Sequence, residues 1–452
     1  MEWNINTQCH STAPQHFIGT IMKLKNLRWW VIALIALATI INYIDRSALS
    51  VLWPDIVKDL FPHKSVLEQK QIYANISIVF ILSYAFGQAI FGKIFDWLGT
   101  RIGFVLSIGV WSIATAAHAF AQGILTFSIF RSILGIAEAG NWPGAAKSNA
   151  DWFPTKVRAL AQGIFNSGAA IGGIIAIPLI AYLTAFFSWK MVFVIIGITG
   201  LLWLIPWIIL VKAPPKLHPW ITEEEREYIL TGQRTSEVEE KEEDEYSPST
   251  SELLTRKESW GVIIASAAID PIWWLFVFWI PIYLNEVYGM DVKSIGIYGW
   301  VPYVGAMIGA WFGGLLAQNR LKAGWNANKT RKLTITLGCA IMLPALLAMA
   351  DPGAPTNAVI IMAIILFGFQ TAIGNVQTLP SDLFGKKAVG TLSGIAGMAA
   401  KLGALGLTAL VPILTAGGNY TPAFVIGASL AIIAAASVWV LIPKIEPLKS
   451  KK

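Results

Sequence analysis

Asn42-Tyr43-Ile44-Asp45-Arg46 is the stretch on which the reading of this chain turns. It interrupts an apolar segment running from Leu27 to Leu52, in which Trp29 to Ile41 carries only Thr39 as a mild polar residue. A charge at membrane depth costs at least ~2.5–3.5 kcal/mol, and such residues usually face a bundle interior or a water-filled cavity. Asn42, Asp45 and Arg46 stand at i, i+3 and i+4, so one helical face presents all three. Two readings are open at this point. One is a structural ion pair locking two helices; the other is a polar pathway through a membrane protein.

Composition favours the membrane. The 452-residue chain is 55% hydrophobic and 13% charged, with a mean hydropathy of +0.59. Ordinary soluble domains carry about 25% charged residues. The net charge of +7 is no nucleic-acid signal, because the positive residues are dispersed between apolar segments. Cys9 and Cys339 are far apart and in no metal-ligand spacing, so neither a disulfide framework nor a zinc site is implied. His10, His16, His63, His118 and His218 are scattered, without a nucleophile–base pair or metal cluster, which argues against a membrane enzyme. Residues 1–21 lack the signal-peptide pattern. They read as a mobile tail, or as residues ahead of a translation start at Met22.

A span needs roughly 20 mainly apolar residues. By that rule twelve are expected, near 27–52, 72–95, 102–121, 123–148, 157–184, 190–211, 259–287, 294–318, 332–350, 356–380, 388–416 and 422–443. The fold class is therefore all-α integral membrane, with two six-helix bundles. The expected divisions are a tail (1–26), a first bundle (27–211), a linker (212–258), a second bundle (259–443) and a basic tail (444–452). The acidic linker reads as solvated, with no binding role assigned. Thr222-Glu-Glu-Glu225 is a capping-box pattern that predicts a short surface helix through Leu230. With the N-terminus inside, inner flanks hold 26 of the 34 Lys and Arg, and the outer loops hold five. Both termini are then cytoplasmic. Arg46, Arg131 and Lys401 remain at membrane depth.

Several motifs carry mechanism. Gly92-Lys-Ile-Phe-Asp96-Trp-Leu-Gly99-Thr-Arg101 follows span two, where glycines permit tight turns and close helix approach. Span four contributes Arg131 and Glu138, nearly two turns apart and so on one face, with Gly135 between them leaving room for a ligand. Those two could also simply pair with each other. Asp45 lies about 10 Å and Arg131 about 12 Å inside the same end of their spans at 1.5 Å per residue, so the two groups should be level. In span five, Gln162 and Asn166 are candidates for polar contacts with a ligand, or for helix–helix hydrogen bonds beside a Gly168-xxx-Gly172 contact. Span seven offers Trp273, Trp274, Trp279 and Tyr283; span ten offers Gln370, Asn375 and Gln377. Span eleven has Ser393, Gly397 and Lys401 on one face.

The G-x-x-x-D-x-x-G-x-R spacing resembles the loop 2–3 signature of the major facilitator superfamily. N-Y-x-D-R in span one, R-x-x-x-x-x-x-E in span four and Asp151-Trp152-Phe153-Pro154 resemble its anion:cation symporter family, closest to bacterial hexuronate and aldonate transporters. The resemblance implies proton-driven uptake of a sugar acid, here a hexuronate such as glucuronate or galacturonate, by alternating access across a bacterial inner membrane. It implies that Arg46 and Arg131 hold the substrate carboxylate. Asp45 and Glu138 would be the protonatable carboxylates, and Tyr43 and Tyr84 would line the site. Trp274, Asn375 and Lys401 are the second bundle's candidates, with Lys401 across from the arginines. Gly92, Asp96, Gly99 and Arg101 would act as a gating latch that does not touch substrate. Asp45 would pair with its neighbour Arg46 when substrate is absent, and Glu138 would be kept protonated by burial. Other readings are an aldonate or sodium-coupled carrier, or a transporter-like sensor that signals through the linker. No cofactor, metal or nucleic acid is expected, and the chain should act as a monomer in the bilayer.

Overall fold

Gly99 holds φ at +74°, in the left-handed region that favours glycine. It kinks an otherwise continuous helix, so Val66–Phe95 and Trp97–Phe120 form two consecutive crossings. A computed structural model describes residues 23–239, 248–384 and 386–446, and these are almost wholly helical. The tail of residues 1–21 and the basic 447–452 lie outside the described residues.

The helices are α1 (Leu27–Leu60), α2 (Val66–Ala117), α3 (Ile124–Glu138), α4 (Asn141–Trp152), α5 (Thr155–Thr184) and α6 (Trp189–Leu210). Then come α7 (Glu223–Glu239) and α8 (Thr250–Thr255) in the linker. The second half holds α9 (Lys257–Tyr288), α10 (Val292–Tyr298), α11 (Val301–Lys322), α12 (Ala327–Ala348), α13 (Pro355–Leu383), α14 (Lys386–Leu414) and α15 (Thr421–Leu441). Eleven helices among the described residues are long and apolar enough to cross a membrane. The expected fourth span is the exception: α3 and α4 share it, broken at Ala139-Gly140. Pro143 explains the break, because it lacks an N–H and its ring crowds the carbonyl four residues back, at Ala139. Span one also runs on past its expected end at Leu52 to Leu60, with Pro54 inside the helix.

Pairings in the first half recur in the second. α1 packs on α5 as α9 packs on α14; α2 packs on α3 as α11 packs on α13; α2 also meets α6 as α12 meets α15. Two structural repeats with a site between them are the architecture of many secondary transporters. Lipid supplies little drive for helix association, so small residues set the contacts. A methyl group at Gly168 would meet the Ala36 carbonyl at 2.7 Å, and one at Gly172 would meet Tyr43 Cβ at 2.7 Å. Those two glycines therefore dock α5 on α1.

The halves also meet directly, α2 on α14, α5 on α10 and α11, and α1 on α9. On the face away from the linker, Lys70 of α2 is buried against Glu286 of α9 at 2.6 Å. Its Nζ also donates to the carbonyl and the hydroxyl of Thr415, both at 2.9 Å. Tyr420 donates to the other Glu286 oxygen at 2.6 Å. Tyr73 donates to the Phe278 carbonyl at 2.6 Å. These bonds seal the two halves together on that face.

The linker is not merely solvated. Glu225 accepts the backbone N–H groups of Leu27 and Arg28 at 3.0 and 3.2 Å and pairs with Arg28 at 3.3 Å. The acid expected to close a capping box thus caps the first membrane helix, where the orphan N–H groups of a helix start favour an anion. The linker helix also continues past Leu230 to Glu239. Leu24 N donates to the Trp220 carbonyl at 2.8 Å beside this contact.

His218 sits between Trp152 and Trp220. Trp220 N donates to its Nδ1 at 3.2 Å, and its Nε2 lies 3.3 Å from the Lys212 N–H and 2.9 Å from the Leu210 carbonyl. Burial holds this imidazole below its ordinary range, and the nearby Lys212 and Arg226 add to that. The unfolded linker therefore binds the proton first, and docking weakens as pH falls below about 6.5. Hydrogen exchange across 218–229, compared at about pH 7.5 and pH 5.5, should show faster opening in acid after correction for intrinsic rates. His218→Gln should abolish that dependence.

Candidate functional site

Arg46 is almost fully buried at 2% exposure, and its Nη2 makes two bonds. One goes to Asn42 Oδ1 at 3.1 Å, one helical turn earlier. The other goes to Glu138 Oε2, also at 3.1 Å, at the end of α3. Four aromatic rings surround the guanidinium: Tyr43 at 5.0 Å, Phe80 at 5.5 Å, Tyr84 at 5.2 Å and Trp274 at 5.0 Å. Each can contribute about 0.5–2 kcal/mol when desolvated. Trp274 belongs to α9, so the second half closes the cage.

Arg131 lies at the same level. With Arg46 it lines a pocket, walled by Tyr73, Ser77, Phe80 and Phe278, that is too narrow for water. Arg131 forms no salt bridge among the described residues, and its Nε and Nη2 have no hydrogen-bond partner. An unbonded guanidinium edge is a donor set suited to a planar carboxylate.

Two expectations about the carboxylates change. Asp45 does not pair with Arg46: although both lie on one broad face, adjacent helical residues are turned about 100° apart and do not meet. Both Asp45 oxygens are buried, with no hydrogen-bond partner among the described residues. Glu138 pairs with Arg46 and not with Arg131, the partner its position on the helix offered. Gly135 leaves no room for ligand either. A methyl there would meet the Phe80 carbonyl at 2.6 Å, so this glycine lets α3 pack on α2.

In the second half, Lys401 Nζ lies 2.8 Å from Asp270 Oδ2, and Trp274 Nε1 donates to the same oxygen at 2.8 Å. Lys401 is 4.9 Å from the Trp274 ring, which thus touches both Arg46 and Lys401. Asp270 was missed in the sequence, although a lone acid in an apolar span is the same signal that marked Asp45.

Other candidates fall elsewhere. Asn375 accepts from Arg331 at 3.0 Å, and Arg331 is bound to Asp382 at 2.8 Å. The Arg331–Asp382 pair therefore engages Asn375, not the arginine pocket. Gln162 donates to Asn166 at 3.0 Å and accepts from Asn149 at 3.3 Å. Gly172 is level with Tyr43, so Asn166 and Gln162 lie about 9 and 15 Å nearer the linker face at 1.5 Å per residue. Within the loop motif, a methyl on Gly92 would meet nothing within 4 Å, so close packing does not require that glycine. Arg101 is exposed, and its carbonyl accepts from Trp207 at 3.1 Å. The Asp96 side chain lies outside the described residues.

A family model of the Major Facilitator Superfamily matches residues 35–408, and the chain belongs to that superfamily of membrane transporters. It is 31% identical over 429 residues to a hexuronate transporter of Escherichia coli strain K12, covering 94% of this chain and 96% of that protein. It is 29% identical to a probable galactarate/D-glucarate transporter of Bacillus subtilis strain 168, covering 95% of each. Its fold is similar to that of a bacterial homologue of the human lysosomal transporter Spinster, solved in an inward-facing and occupied conformation. The TM-score is 0.69 at 19% identity, over 93% of this chain and 98% of that one. At that identity the likeness is one of fold alone.

Proposed function

We propose that this protein is a proton-coupled symporter that imports a hexuronate, such as galacturonate or glucuronate, across a bacterial inner membrane with both termini cytoplasmic. One observation carries the reading. A buried arginine, Arg46, is held by a single carboxylate, Glu138, beside a second arginine whose Nε and Nη2 are unbonded. A substrate carboxylate that takes Arg131 and the Arg46 Nη2 now held by Glu138 would displace that carboxylate. Removing one partner of a buried ion pair leaves an uncompensated charge, so the displaced Glu138 is best accommodated with a proton. Proton and substrate would then bind together and cross together. Asp45, buried without a partner, is a second group that can carry a proton. The relatives named for hexuronate and for galactarate/glucarate support a sugar acid as substrate.

Uptake of labelled galacturonate into proteoliposomes tests this. Saturable uptake should be driven by an imposed pH gradient and abolished by a protonophore, with no response to a sodium gradient. Uptake that follows sodium and not pH would favour the sodium-coupled reading. Binding without flux would favour a sensor.

A further inference from the structure

Two cations lie on the ring of Trp274, Arg46 from the first half and Lys401 from the second, each with its own carboxylate. Arg46 is paired with Glu138 at 3.1 Å, and Lys401 with Asp270 at 2.8 Å. The Asp270 oxygen that binds it also takes the Trp274 N–H, so three groups from α9 and α14 hold each other in one arrangement. Arg46 and Lys401 both lie against the Trp274 ring, at 5.0 and 4.9 Å. They are therefore no more than about 10 Å apart, close enough for one six-carbon acid to touch both sides. Both members of the pair are partly accessible, at 18% and 16% of their side-chain surface, whereas Arg46 and Glu138 are sealed.

We infer that Asp270 is a specificity-determining residue, which neutralises Lys401 so that the site takes sugar acids with one carboxylate and discriminates against dicarboxylates of the same skeleton. The inference rests on the sugar-acid reading above. With its carboxylate on the arginines, the substrate presents its far end to a pair of zero net charge. Lys401 spends one of its three donors on Asp270 and keeps two. Asp270 keeps its second oxygen as an acceptor. Such a pair suits the hydroxyl and ring oxygens of a hemiacetal, which need a donor, and its hydroxyl protons, which need an acceptor. A second carboxylate would meet Asp270 as a like charge in a site poorly screened by water. Without Asp270, Lys401 would be a free cation at the far end, and a dicarboxylate would gain.

Galacturonate and galactarate share their carbon skeleton and differ at C1, a hemiacetal carbon in the galacturonate ring and a second carboxylate in open-chain galactarate. Equilibrium binding of each to the purified full chain in nanodiscs gives the ratio that tests the inference. The wild type should favour galacturonate at least tenfold. Asp270→Asn should lower that ratio at least tenfold, chiefly through tighter galactarate binding. Lys401→Asn leaves Asp270 uncompensated and should raise the ratio. A purely structural pair would weaken both ligands alike and leave the ratio where it was; that result in either variant overturns the inference. If one variant fails to fold, the sign of the other still decides. A wild type that binds galacturonate but prefers galactarate removes this inference alone. A wild type that binds neither acid removes the sugar-acid reading with it.

Discussion

Arg131→Lys is expected to cut uptake efficiency by roughly 10- to 150-fold while the protein folds and inserts normally. A charge-assisted hydrogen bond is worth about 1.5–3 kcal/mol, and lysine cannot present two parallel donors to a carboxylate. The folded state should tolerate the change, because Arg131 has no salt bridge among the described residues and its Nε and Nη2 are unbonded. Its contact with Phe80, 5.8 Å from the ring, is of a kind a lysine can also make. The measurements are kcat/KM for galacturonate in proteoliposomes, with thermal stability in detergent as the control. Near-normal transport would mean that Arg131 does not hold substrate. A large fall in stability with equal transport per folded molecule would assign it to the fold.

Glu138→Gln should separate binding from coupling. Glutamine keeps an acceptor for Arg46 but cannot gain or lose a proton. It competes less strongly than a carboxylate for the guanidinium, so the substrate should bind at least as well as in the wild type. Exchange of labelled for unlabelled galacturonate should persist. Accumulation driven by a pH gradient should fall to background, because the carrier no longer returns with a proton to release. Counterflow and pH-driven uptake, measured on the same vesicles, decide the point. Retained accumulation would move coupling to Asp45, the other buried carboxylate of the site. Loss of both activities in a well-folded variant would mean that Glu138 is needed to position Arg46.

Hydropathy and a few interrupting charges were enough to read the membrane class, the two-bundle division and the level of Arg46 and Arg131. The reason is energetic: lipid excludes unpaired polar groups so strongly that an apolar run of sufficient length has few alternatives to crossing. A charge within such a run must face inward. Helical periodicity then places Asn42 beneath Arg46, a contact that the structure realises as a hydrogen bond within one turn.

Partnership across helices was decided only by the tertiary structure. The sequence offered Glu138 to Arg131 and Asp45 to Arg46, because residues near each other in the chain are the ones a one-dimensional reading can pair. In the folded protein Glu138 crosses to Arg46, and Asp45 is left without a hydrogen bond. That outcome depends on how far α3 is rotated and how closely it approaches α1 and α2, and those are set by packing at positions such as Gly135 and Gly140. Likewise Lys401 reads as a free third cation until α9 brings Asp270 to it, and Glu225 reads as a local cap until the linker folds onto α1. Local spacing determines which groups must leave the lipid; the rotation and depth of neighbouring helices determine which of them meet.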